Sequence, residues 1–151
     1  MDELRVLTNE ETTQYIVIKI GVEQFGIDIK YVDNIVRMQH ITRVPKVANY
    51  LKGVINLRGE VIPVMSLRLK MDLEEAPETK TTRIIILKLE QQGNVGIIVD
   101  EVKEVVTLGI SQVEKMPHDS NEVSFISGVG KHNGELISLL DLNSLELEDS
   151  V

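Results

Sequence analysis

Apolar and polar residues alternate along this chain in short runs broken by Gly, Asn and Asp. Ile16, Ile18 and Ile20 alternate with Val17 and Lys19, and a turn at Gly21-Val22-Glu23-Gln24 leads into a second run at 25–29. A period of two belongs to a strand, whose successive side chains point to opposite faces. The same events recur at 84–89, at Gln91-Gln92-Gly93-Asn94 and at 95–99, with turn residues better suited to positive φ. Further hairpin tips are expected at Leu57-Arg58-Gly59-Glu60 and His132-Asn133-Gly134-Glu135, and Asn133-Gly134 is the strongest hairpin signal in the chain. One stretch departs from alternation. Ile29, Val32, Ile35 and Val36 fall on one helical stripe behind a capping Asp28, predicting a helix to about Arg37. Its counterpart at 100–108, with Val102, Val105 and Val106, fits either a strand or a helix, and the strand is the favoured reading.

These recurrences form an internal repeat in three ordered blocks. Residues 51–67 match 126–142, with Gly53 on Gly128, Gly59 on Gly134 and Glu60 on Glu135. Upstream, 25–29 match 95–99, and 15–20 match 84–89. Two copies make a pseudo-symmetric pair, whereas a solenoid needs at least three. Each copy supplies about five short strands and a brief helix after its last hairpin, the size of a small SH3-like or OB-like barrel. Such a unit alone buries little, so the expectation is two of them packed over a shared apolar layer. The expected boundaries are a loose N-terminus at 1–13, repeats at 14–71 and 81–147, an acidic Pro-containing linker at 72–80 and a tail at 148–151. Exchange of strands between the repeats stays open.

Composition agrees with a mainly β fold. Val (19) and Ile (17) dominate while Ala occurs twice in 151 residues, and β-branched side chains favour pleated surfaces over helices. Without Cys, disulfides, thiolate metal sites and thiol catalysis are excluded. No apolar run is long enough to span a membrane, and the acidic first residues do not suit a secretory leader, so a soluble, cytoplasmic and complete chain is expected. A net charge of −8 with two Phe, three Tyr and no Trp disfavours nucleic acid. The charge is uneven, however. Residues 30–70 hold eight Lys and Arg against Asp33 and Glu60, a local balance of +6. Two readings are open: solvated strand and loop positions, or a basic surface for an acidic protein partner.

The search for chemistry returns little. His40, His118 and His132 lack the spacing of a zinc helix. Asp28 and Asp100 near matching strand ends are explained by capping or turns rather than acid–base work. The glycines from Gly128 to Gly134 lie in a hairpin and not before a helix, so they form no phosphate loop. No catalytic, metal-binding or cofactor-binding residue is assigned, and no cofactor is expected. Arg58, a rigid fork of donors on a tight turn, has two open readings: an interface anchor or a solvated turn cation. With so few aromatics, the chain cannot line grooves for proline-rich ligands, so any peptide or helix would meet aliphatic grooves and backbone edges.

Three segments carry a resemblance. They are Gly26-Ile27-Asp28-Ile29 with Val32 and Ile35; Gly53-Val54-Ile55-Asn56-Leu57-Arg58-Gly59 with Pro63, Val64 and Leu67; and Gly96-Ile97-Ile98-Val99-Asp100-Glu101-Val102. Together they resemble the CheW-like domain family of bacterial chemotaxis over about 15–147. The resemblance implies two pseudo-twofold-related five-stranded SH3-like barrels with one or two short helices. It also implies a non-catalytic adaptor, monomeric in isolation, that joins the histidine kinase CheA, through its own CheW-like regulatory domain, to the cytoplasmic helical tips of chemoreceptors. On that pattern Val32, Asn34, Ile35, Gly53, Asn56 and Arg58 are receptor-side residues, and Val99, Val102 and Val105 kinase-side residues. Many relatives carry Glu where this chain has Asn34, so a carboxylate for Arg58 would come from Asp33, Glu60 or the partner. A competing reading is a stand-alone regulatory module that binds a small ligand or another kinase in the cleft between barrels.

Overall fold

The structure, a computed structural model, describes residues 11–90, 92–116 and 125–144. Among the described residues eleven strands lie in two sheets. The first copy contributes β1 (Thr12–Ile20), β2 (Glu23–Asp28), β3 (Val32–Arg37), β4 (Leu51–Leu57) and β5 (Glu60–Ser66), then a one-turn helix α1 (Leu67–Lys70). The second contributes β6 (Arg83–Leu89), β7 (Gly93–Val99), β8 (Glu101–Gly109), β9 (Val113–Lys115), β10 (Ile126–His132) and β11 (Glu135–Leu140). The turns expected after Ile20, Leu57, Leu89 and His132 are where strands reverse, and 100–108 is strand. The helix expected at 28–37 is absent. Asp28 caps only a single 3-10 turn, Ile29–Tyr31, by accepting from Lys30 N–H at 3.0 Å, and the chain then enters β3.

The copies are interleaved. Barrel I has the order β8-β1-β2-β11-β10-β9 and barrel II the order β3-β6-β7-β5-β4. Each barrel therefore takes its central hairpin from one copy and its flanking strands from the other. Contiguous units at 14–71 and 81–147 do not describe the barrels. The seam within each is the one parallel pairing, β2 with β11 and β5 with β7. A Cβ on Gly26 would lie 2.8 Å from Leu139 Cδ2 across one seam, and one on Gly96 3.2 Å from Val64 Cγ2 across the other. The matched glycines thus let the seams close.

Alternation along the central strands fills three cores. Val17 of β1 points into barrel I with Val106, Leu108, Ile137 and Leu139. Ile84 and Ile86 of β6 point into barrel II with Ile55, Ile62 and Val64. Ile16, Ile18 and Ile20, and likewise Ile85, Leu87 and Leu89, face the layer between the barrels, where fifteen buried residues meet. Each such aliphatic side chain contributes roughly 1.5–3 kcal/mol on leaving water, so the shared layer ties the two barrels together.

Polar ties reinforce the join. Arg68 of α1 grips Asp100 with two donors, Nε at 3.0 Å and Nη2 at 2.5 Å, and Gly21 N–H donates to the same carboxylate at 2.7 Å. The Arg68 hydrogen bonds hold the Asp100 carboxyl below its ordinary pKa. Lys70 sits over the rings of the equivalent residues Tyr50 and Phe125, 4.0 and 5.5 Å from their centroids, spanning the pseudo-twofold with a cation–π contact.

Candidate functional site

Two edges of the molecule have the same backbone and opposite charge at the bulge. In β3, a bulge at Asp33 shifts the pairing, so Val32 stands opposite Leu87 and Ile35 opposite Ile85. In β8, a bulge at Lys103 does the same, placing Val102 opposite Ile18 and Val105 opposite Ile16. Directly paired residues of an antiparallel ladder share a face, so both apolar pairs lie on the side of the shared layer. In each strand the first residue packs against that layer and the last is open: Ile35 is 36% exposed and Val105 50%. Asp33 faces Lys88 at 3.7 Å, whereas Lys103 bonds Glu135 at 3.3 Å.

The other expected receptor-side residues divide into exposed and structural ones. Arg58 and Gly59 both have positive φ, 55° and 86°, the arrangement of a two-residue hairpin turn of type I′. Asn56 Oδ1 accepts from Gly59 N–H at 3.0 Å and braces that turn. Arg58 is exposed, and among the described residues no carboxylate pairs with it; Glu60 instead accepts from Asn94 at 3.0 Å. Gly53 is buried with φ 145°, and a Cβ there would overlap the Thr42 carbonyl, since Thr42 bridges to Val54 to close barrel II. Gly53 thus serves closure and offers no side chain to a partner. Asn34 is half-buried and bonds the following N–H.

Of the expected kinase-side residues, Val105 is open and Val102 half-buried, but Val99 is fully buried between the barrels beside Val95 and Ile97. The correction follows from alternation in β7, which turns every odd residue of 95–99 inward. Barrel I also holds apolar surface that the sequence reading passed over. Leu136 (60% exposed) and Met116 (48%) border a 370 Å³ groove with Val113 and Val129, and Ile110 is exposed beside it. A usable signal existed in β11, where inward Ile137 forces Leu136 outward. Arg37, Arg43, Lys46 and Arg58 on barrel II lack ion-pair partners among the described residues.

Among the described residues no cluster of His, Asp and Glu is arranged to hold a metal ion. His118 lies outside them. The space between the barrels is filled by side chains.

A family model of the CheW-like domain matches residues 14–148. The chain is similar to chemotaxis protein CheW of Helicobacter pylori, 34% identical over 144 residues that cover 93% of this chain and 86% of that protein. It is likewise similar to chemotaxis protein CheW of Bacillus subtilis, 36% identical over 132 residues, 86% of this chain and 84% of that protein. Among solved structures, the scaffolding protein TtCheW from Thermoanaerobacter tengcongensis matches with a TM-score of 0.79 at 30% identity, covering 86% of this chain and 89% of that one.

Proposed function

The chain belongs to the CheW-like domain family and serves chemotaxis as an adaptor, and from that premise we propose that it holds the histidine kinase CheA and chemoreceptor tips side by side without catalysis of its own. The observation that carries this reading is the shared core. Two barrels locked through fifteen buried residues present pseudo-equivalent edges at a fixed separation, and a stiff body transmits a change in one partner's placement to the other.

On this reading barrel II meets the receptor. Ile35, with Val32 behind it, offers aliphatic surface to a helical tip, and Arg58 awaits a carboxylate from the partner, because Asp33 and Glu60 are already engaged. Barrel I meets the kinase's homologous regulatory domain through Val105, Val102 and the apolar surface around Leu136. Each contact is modest, and simultaneous engagement raises the effective affinity. The protein works at the cytoplasmic side of the membrane, recruited rather than inserted; among the described residues no helix is long and apolar enough to cross a bilayer.

The test is a pull-down with the immobilised chain from lysate containing both partners. Retention of CheA and receptor together is expected. Retention of neither, with a small metabolite recovered instead, would contradict the adaptor reading.

A further inference from the structure

Barrel II carries a feature that coupling through its β3 edge and hairpin tip does not use. The loop between β3 and β4 encloses a 450 Å³ recess lined by Arg43, Lys46, Asn49, Lys52 and apolar loop residues. Glu75, from the linker after α1, completes the wall and is ion-paired with Lys52. Glu75 neutralises one of three cations, and Arg43 and Lys46 have no ion-pair partner among the described residues. Lys46 is also held at φ 60°, a left-handed backbone that costs a side-chain-bearing residue roughly 1–2 kcal/mol. Strain kept at a charged, solvent-facing residue points to a use for its position.

We propose that this recess binds an acidic peptide segment of a partner protein, and that Glu75 is a resident competitor which that segment displaces. The occupant follows from charge complementarity: the recess already holds one carboxylate presented by a peptide, and two free cations call for further carboxylates spaced along a chain. The linker that delivers Glu75 also carries Asp72, Glu74 and Glu78, so it is itself an acidic peptide lying against a basic loop. A single small oxyanion would leave most of the recess empty, while Val44 and Leu51 between the cations suit the aliphatic stems of Glu side chains. Binding of this kind is steered by charge and weakens with salt.

The test titrates the full chain with hexaglutamate and, separately, with inorganic phosphate, followed residue by residue through amide chemical shifts at low salt. Saturable shifts confined to 43–52 and 72–78 are expected with hexaglutamate. Glu75→Gln should tighten hexaglutamate binding roughly threefold, the scale of one exposed ion pair. Arg43→Gln with Lys46→Gln should abolish it, with the remaining amide spectrum unchanged as the check on folding. Equal saturation by phosphate, an unchanged affinity in Glu75→Gln, or shifts located elsewhere would each overturn the proposal. Because this titration contains neither CheA nor receptor, its failure leaves the pull-down result standing, and the reverse also holds.

Discussion

The β3 edge of barrel II and the β8 edge of barrel I are the same object built twice. Each is a strand joined to the central hairpin of the other copy, with one bulge that turns an apolar pair toward the shared layer. They differ in their charges and surroundings. Asp33, Asn34 and Arg37 on β3 become Lys103, Glu104 and Thr107 on β8. Around barrel II stand Arg37, Arg43, Lys46 and Arg58, without ion-pair partners among the described residues, and around barrel I stand exposed Met116 and Ile110, whereas exposed Leu136 is matched by exposed Val61 of barrel II. Duplication supplied two identical seats, and divergence of the exposed residues fitted them to different occupants, while the buried residues that fix their spacing kept their pattern.

The largest expected effect breaks the equivalence of closure. Gly53→Ala meets the Thr42 carbonyl at a backbone angle of 145°, whereas a Cβ on the matched Gly128 comes 2.9 Å from the Glu114 carbonyl without the left-handed angle. Chemical denaturation should give a loss of about 3 kcal/mol for Gly53→Ala and about 1 kcal/mol for Gly128→Ala. Equal losses would mean the two barrels close alike.

Next comes the Arg68–Asp100 tie, whose place in the other copy is taken by Asn143. Arg68→Ala should cost about 1 kcal/mol. The pH dependence has a fixed sign. Because the folded Asp100 carboxyl titrates below its unfolded value of about 3.9, its contribution is complete above that value. It is lost as pH falls toward the folded pKa. Denaturation at pH 6 and pH 3 should show this loss in the wild type and a flatter dependence in Asp100→Asn.

A smaller effect sharpens the contrast between hairpin tips. Arg58 occupies a left-handed position where the other copy has Asn133, the residue type that tolerates it. Arg58→Asn should raise Tm by about 1–3 °C and Asn133→Arg lower it by a similar amount. Of the two, only Arg58→Asn should reduce receptor coupling, measured as receptor-dependent kinase activity. A lower Tm for Arg58→Asn would make Arg58 a structural residue.

Much of this architecture was legible because strands buried on both faces still alternate between two different cores. The duplication was visible in matched glycines that close turns and seams. The exchange of hairpins was not decidable, since self-similarity reports the order of strands and not their partners. The helix expected at 28–37 failed for a specific reason. A bulge inserts one residue into a period of two, so Val32 and Ile35 share a face at a spacing of three, which imitates a helical stripe. The β8 strand has the same spacing in Val102 and Val105, for the same reason. Val99 belongs to a motif whose residues the resemblance puts on the kinase side, but the phase of β7 turns it inward with Val95 and Ile97. The exposed Leu136 is hidden in an apolar run, 136–140, broken only by Ser138, and only the phase set by inward Ile137 turns it outward.

The central claim is that two partners occupy two different barrels at once, and separation of function in a three-component sedimentation assay tests it most directly. With CheA and receptor-bearing membranes, Ile35→Asp combined with Arg58→Glu should abolish binding of the chain to membranes while CheA binding persists. Val105→Asp combined with Leu136→Asp should do the reverse, and the wild type should bring CheA down with the membranes. If either pair of substitutions in a folded protein removes both partners or neither, the assignment of one barrel to each partner is wrong.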